Sequence, residues 1–236
     1  MASVLSLMQD AAVETHLQRV STIIGSTTDQ TAMLLSRALH KTARELQDFG
    51  WQKLVREQTF TTVAAETQTG TPLPTTLRHF VANTFYNRAP RQRIFGPLTA
   101  DEWQSQKAVA ATWSDLSFRI WGGAWLWAPT PTAGQTIAYE YITTYIGTDT
   151  TGVTEKATFT VDTDLTYFDD ELMILGIAKN VLDINGADYA EKSREFQLRL
   201  SSLLKQDGAS RVISMSGQNP NKIPMAPRVP DRVVFT

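Results

Sequence analysis

Five carboxylates fall within ten residues: Asp162, Asp164, Asp169, Asp170 and Glu171. Hard cations take clustered oxygens, so the first chemistry such a run suggests is a Ca²⁺ or Mg²⁺ site, and with it metal-assisted hydrolysis. The stretch lacks the glycine and the ligand order of a calcium loop, and helix capping with solvation accounts for the same residues. No metal-ligand set is therefore assigned. His16, His40 and His79 include no pair at the i, i+3 or i, i+4 spacing of a helical zinc site. The chain has no cysteine, which removes disulfides, thiolate metal sites and cysteine nucleophiles together. It holds no phosphate loop, dinucleotide fingerprint or nucleophile elbow. The expectation is a protein that is not an enzyme, with no catalytic residue and no cofactor.

Charge and apolar surface point instead to contacts. Arg78, Arg88, Arg91 and Arg93 lie in a stretch without an acid, whereas residues 148–172 carry seven carboxylates against Lys156 alone. Opposite patches on one subunit suit head-to-tail contacts between copies; two solvated faces are the alternative reading. The formal net charge of −2 gives no overall field to hold nucleic acid. Prolines at 220, 224, 227 and 230 exclude helix and disfavour a central strand near the C-terminus. The apolar residues between and beyond them, Ile223, Met225, Val229, Val233 and Phe235, are too many for a solvated linker. The expectation is an extended arm, residues 209–236, that docks on a surface belonging partly to another chain. A frayed terminus is the alternative.

The elements that would position these residues follow from periodicity. A first helix starts after Ala2 with Ser3 as cap, and Val4, Leu5, Met8, Ala11 and Ala12 form its apolar stripe. A second, capped by Thr27 or Thr28, runs to about Phe49, with Leu35, Ala38, Thr42, Leu46 and Phe49 inward. Gly50 is expected as its left-handed stop, with Trp51 packing back on the pair. Strands are expected at Glu57–Val63, Val81–Asn87 and Arg93–Phe95, with a loop over 66–76. Thr99 and Glu102 form a capping box for a short helix near 99–110.

Gly122-Gly123 predicts a two-residue hairpin turn, which sets Trp121 opposite Ala124 and Phe118 opposite Trp127. Phe118, Ile120, Trp125 and Trp127 then share one face, read either as core or as a platform for sugars or bases. Thr136–Ile146 is expected as a long strand paired to this hairpin through the Pro131–Gly134 turn. Helices return at Asp169, with Asp169, Asp170 and Glu171 at a helix N-terminus. After Asn185-Gly186, a last helix spans Ala187 to about Gln206, with Tyr189, Phe196, Leu200 and Leu203 inward. Arg211–Met215 is a candidate short strand. Residues 1–55 and 165–208 are thus expected to form one helical bundle, with 56–164 inserted as an antiparallel β lobe resembling a small sandwich or barrel, an α+β fold. Met1–Gln9 lacks the features of a signal peptide and no window matches a membrane span, so a soluble, cytosolically made protein is expected.

Several segments, taken in order, resemble the head-to-tail adaptors of tailed phages, the group that includes tail tubular protein A-like adaptors. They are Ser3-Val4-Leu5-Ser6-Leu7-Met8-Gln9-Asp10-Ala11-Ala12, Ile23-Ile24-Gly25-Ser26, and the helix end at Phe49-Gly50-Trp51. Phe95-Gly96-Pro97-Leu98-Thr99-Ala100-Asp101-Glu102-Trp103 and Phe118-Arg119-Ile120-Trp121-Gly122-Gly123 follow. Gly134-Gln135-Thr136-Ile137-Ala138-Tyr139-Glu140-Tyr141-Ile142 and Phe168-Asp169-Asp170-Glu171-Leu172 complete the likeness, which covers about residues 2–206. The resemblance implies a virion structural protein at the head-to-tail junction, assembled as a twelve-fold ring. Its partners would be other copies of itself, the portal above and the tail nozzle or tube below, and DNA would pass through without specific binding. The arginines would then be subunit or partner contacts and the five carboxylates a channel or interface lining. A tail-associated module reading glycans through the aromatic β face is the alternative function.

Overall fold

A computed structural model describes residues 2–26, 28–69, 73–108 and 115–208. The expected arm 209–236, including Ile223, Met225, Val229, Val233 and Phe235, and the candidate strand Arg211–Met215 lie outside the described residues.

The fold is mixed helix and antiparallel sheet. The first helix, α1 (Val4–Glu14), starts as expected: the Ser3 side chain accepts from the Ser6 amide at 3.3 Å. In α2 (Gln30–Gln47) the cap is Asp29 rather than Thr27 or Thr28, because its carboxylate accepts from the amides of Thr31 and Ala32. The helix stops at Gln47, short of Phe49, and Gly50 does not take the left-handed conformation. Trp51 does the work expected of that glycine: its indole N–H donates to the Leu46 carbonyl at 2.7 Å, occupying an acceptor at the helix end.

Strand β1 (Val55–Thr61) is followed by the short β2 (Thr67–Gln68), β3 (Leu77–Phe80), β4 (Tyr86–Asn87) and β5 (Gln92–Arg93). The expected continuous strand Val81–Asn87 is interrupted. Asn83 sits at φ 68°, and the Thr84 hydroxyl bonds both the Val81 carbonyl and the Glu140 amide where ladder bonds would run. The capping box of α3 (Ala100–Ala108) forms reciprocally between Thr99 and Glu102, at 2.8 and 3.3 Å.

The glycine hairpin joins β6 (Ser117–Trp121) to β7 (Ala124–Ala128) in the expected register, with Gly122 at φ 58° and Gly123 at φ 78°. The next strand, β8 (Thr136–Thr143), does not join that hairpin. It pairs with β1 on one side and with β3 and β4 on the other, while β6 and β7 form a separate sheet with β2. Thr62, just past β1, explains the difference. Its amide donates to Gln135, its carbonyl accepts from Gly134, and its hydroxyl donates to Thr132, so the turn is fastened to β1. The two sheets then meet through an aromatic core of Phe60, Phe85, Phe118, Trp125, Trp127 and Tyr139. Phe118 and Trp127 stack at 5.6 Å, as do Phe85 and Tyr139 at 5.1 Å.

A third small sheet contains β9 (Gly147–Thr148), β10 (Glu155–Lys156) and β11 (Leu165–Thr166). Then α4 (Asp170–Ile184) packs against α1, α2 and the last helix, α5 (Ala190–Asp207). The last helix begins at Ala190, later than expected, and Tyr189 is 44% exposed at its start instead of pointing inward. Among the described residues no helix is long and apolar enough to cross a membrane.

Close approach of α2 and α4 depends on one glycine. A Cβ on Gly176 would stand 2.4 Å from the Thr42 methyl and 3.0 Å from the Phe196 ring. Beside it the Asn180 amide donates to the Thr42 hydroxyl at 2.9 Å, a buried bond that fixes the crossing. Gly176→Val should therefore push the helices apart and lower stability by about 2–3 kcal/mol in urea denaturation. An unchanged midpoint would mean that the helices part without cost.

Candidate interaction surfaces

Asp162, Asp164 and Asp169 lie on the chain that leads from β10 to α4, and Asp170 and Glu171 in the first turn of α4 itself. Asp162 accepts from the amides of Ile23 and Ile24, at 3.1 and 2.8 Å, and so holds the α1–α2 connection. Asp164 is fully buried. It accepts from Lys156 Nζ at 2.6 Å and from the amides of Thr160 and Val161 at 2.8 and 3.1 Å. Burial opposes its ionisation, but the lysine and the two amides outweigh that cost and hold its pKa below the usual aspartate range. Asp169 caps α4 through the Leu172 amide and takes a two-pronged contact from Arg199 of α5, at 3.1 Å on each oxygen. Glu171 also pairs with Arg199, and Asp170 accepts from the Ala2 amide.

This arrangement corrects part of the sequence reading. Asp164 presents no charge to a surface and is removed as a channel or interface residue. The run is a set of structural acceptors in which Glu171, its side chain 64% exposed, faces solvent most. Among the described residues no group of three or more His, Cys, Asp or Glu is placed to hold a metal ion.

The arginines are likewise divided. Arg78 donates to Gln47 at 2.6 Å and pairs with Asp48, tying β3 to the end of α2. Arg88 pairs with Glu57 across the sheet, with both side chains about half exposed. Arg93 donates to Asn83 and lies over the Phe95 ring at 5.6 Å. Arg91, exposed and at φ 56°, has no partner among the described residues, so it has the most freely available charge of the four.

The aromatic hairpin face is interior. Trp125 is 1% exposed and Trp127 is fully buried, with Phe60 and Phe118 against them. A face enclosed in this way cannot stack on sugars, and the glycan-reading alternative is withdrawn.

Three surface features escaped the sequence reading. Trp121, at the hairpin apex, is 66% exposed with the Arg119 guanidinium 5.8 Å from its ring. Strand alternation was the available signal, since it sets Trp121 opposite in face to Ile120. Val153 is 80% exposed on the β9–β10 loop. That loop is stiffened by Asp149, which accepts from the Thr151 hydroxyl and from the amides of Thr151, Val153 and Thr154, bonds that bring its pKa down to about 2. The third feature is a groove of about 310 Å³ at the end of α5, lined in part by Trp51, Lys53, Tyr167, Leu203 and Asp207. Lys53 and Arg56 both lie over the Tyr167 ring, at 5.3 and 5.9 Å. Burial and a 2.8 Å bond to Glu155 push the Tyr167 hydroxyl up to about 12. Only the folded chain assembles this groove, and no sequence signal announces it.

Comparison with protein-family models and with curated proteins finds no match to this chain.

Replacing Asp164 by Asn should leave Lys156 with a weakened partner and cost about 2–3 kcal/mol, measured by chemical denaturation. The wild-type carboxyl is more acidic folded than unfolded. It therefore contributes stability above the ordinary value of 3.8 and loses it as pH falls toward its lower folded value. The variant should show a shallower loss of stability below about pH 4. Identical acid profiles for the two proteins would contradict this role.

Proposed function

We propose that this chain is a structural ring subunit, a head-to-tail adaptor that joins the portal of a tailed phage to its tail and lines part of the DNA channel. The observation that carries the reading is the proline-spaced apolar run from Ile223 to Phe235. Its side chains call for burial, while its prolines bar a helix or central strand that would bury them within the chain's own core. Such a segment is suited to another subunit's surface.

The ordered resemblance over about residues 2–206 supplies the identity of the assembly. In this reading α1, α2, α4 and α5 form one helical bundle, and the sheets between α2 and α4 form the projecting β lobe. Exposed apolar points held on stiff supports, Trp121 and Val153, are consistent with contacts between copies. Arg91 and the partly neutralised Arg78, Arg88 and Arg93 would face an acidic neighbour, with Glu171 one such acid. No catalytic role is assigned, and DNA would pass without sequence-specific contacts.

Mass measurement in solution tests the assembly. The full chain should form a multi-subunit ring, alone or with a portal protein, whereas a chain ending at Gly208 should stay folded at the mass of one subunit. A full chain that remains single under both conditions would sink the proposal, as would a truncated chain that assembles normally.

A further inference from the structure

Among the described residues the longest strand left at a sheet edge is β1, seven residues that pair only with β8. The pleat decides which backbone groups that edge presents. On β8 the carbonyls of Thr136 and Glu140 accept from the amides of Arg88 and Val81, so the even-numbered residues of β8 serve its β3–β4 side. The odd-numbered ones serve β1, where the register sets Ile137, Tyr139 and Tyr141 opposite Phe60, Gln58 and Arg56. Val55, Glu57, Thr59 and Thr61 therefore turn their N–H and C=O groups outward. Side chains meet two of these carbonyls: Arg56 donates to Val55 at 2.9 Å and Gln58 to Thr59 at 3.4 Å. The Val55 amide donates to the Gln52 carbonyl. The Glu57 amide and carbonyl and the Thr59 amide face outward with no strand beside them among the described residues. Such a row is a template for a further strand. By contrast β6, at the edge of the second sheet, is partly covered, since Phe95 bridges to Ser117 and the Phe118 carbonyl accepts from the Leu98 amide.

The end of α5 lies beside the start of the open edge. Asp207 accepts from the Gln52 amide at 2.8 Å, three residues before β1 begins, and Gly208 leaves α5 in an extended conformation, φ −69° and ψ 115°. Soon after comes Arg211-Val212-Ile213-Ser214-Met215-Ser216, which contains the candidate short strand and precedes the first proline of the arm. Val212 and Ile213 are β-branched, and Ile213 and Met215 alternate with Ser214 and Ser216. In a strand that alternation gives one apolar side and one hydroxyl side. The sides of β1 differ in the same sense: Phe60 belongs to the aromatic cluster, whereas Glu57 and Thr59 are exposed on the opposite side.

We infer that residues 211–216 add to the outer edge of β1 of the same chain, parallel to it, as the outermost strand of that sheet. Reach sets the direction. The three residues from Gly208 to Arg211 span about 10 Å, which meets the Val55 end of β1, while the Thr61 end lies about 20 Å further along. An antiparallel strand would have to begin at that far end. Reach also selects the chain's own segment, because it is tethered a few residues from the edge, whereas another copy's must arrive from solution. Ile213 and Met215 then continue the Gln58–Phe60 side, and Ser214 and Ser216 the Glu57–Thr59 side. The parallel course delivers Gly217 to the Thr61 end, so the proline-spaced arm departs from the sheets and not from the end of α5. This inference stands without the proposed ring, and fixes the point from which the arm would reach a neighbour.

Amide hydrogen exchange of the full chain, read residue by residue by NMR, tests the pairing. The comparison is the full chain carrying Ile213→Pro, which cannot hold a ladder at that point. Glu57 and Thr59 amides should exchange at least about tenfold more slowly in the unsubstituted chain. Those of Gln58 and Phe60, which face β8, should exchange alike in both. Equal rates at Glu57 and Thr59 would overturn the inference. The absence of native cysteine allows a second measurement. Thr61→Cys with Ser216→Cys should oxidise to a disulfide within one chain at least about tenfold faster than Thr61→Cys with Val212→Cys. The reverse order would overturn the parallel direction, and disulfides formed only between chains would overturn the assignment to the chain's own segment.

Discussion

The buried Asp164 carboxylate holds together the segment on which the remaining elements converge. Its bonds to Lys156, Thr160 and Val161 fold residues 156–164 into a tight loop. The outer side of that loop then serves the N-terminal helix: the carbonyls of Asp164 and Asp162 accept from the amides of Val4 and Leu5, each at 2.9 Å. Those amides belong to the first turn of α1, where intrahelical acceptors are missing. Asp162 meanwhile holds the α1–α2 connection at Ile23 and Ile24, and Ser3 makes a bridge to Leu165. Elements far apart in sequence are fixed by one loop whose own shape depends on a single charge.

The acids on and beside that loop are engaged by partners within the chain. A cation site needs oxygens that converge on one point. Here Asp162, Asp164 and Asp170 turn to different backbone amides or to Lys156, while Asp169 and Glu171 share the Arg199 guanidinium. The acids are dense where the starts of α1 and α4 and the α1–α2 connection meet, and these bring N–H groups that a carboxylate can accept from. Burial without such partners would raise the pKa of Asp164; with them, it stays charged inside the protein.

How much could be read in advance divides along local and non-local lines. The hairpin register, the Ser3 cap, the Thr99–Glu102 box and the inner face of α2 are set by neighbours a few residues apart, and all were legible. The partner of β8 was not, because it turns on Thr62, which lies seventy residues from Thr132 in sequence. Gly50 misled for a related reason: its expected role passed to the Trp51 indole, whose placement depends on tertiary packing. The acids were legible as helix-start charges at Asp169–Glu171, but the burial of Asp164 was not, since nothing local distinguishes it from the partly exposed Asp162. The resemblance to phage adaptors pointed to a helical part and a β part, but left open the division into separate sheets.

Strand β8 carries a further implication. Tyr141 belongs to the aromatic cluster between the sheets, while the very next residue, Ile142, belongs to the cluster formed with the helices. Alternate sides of one backbone therefore face two cores, with no intervening hinge to absorb displacement. A load applied to the sheets passes into the helices along the stiff axis of this strand, where the seven residue pairs shared with β1 resist it in shear. The two parts would respond to stress as one solid piece.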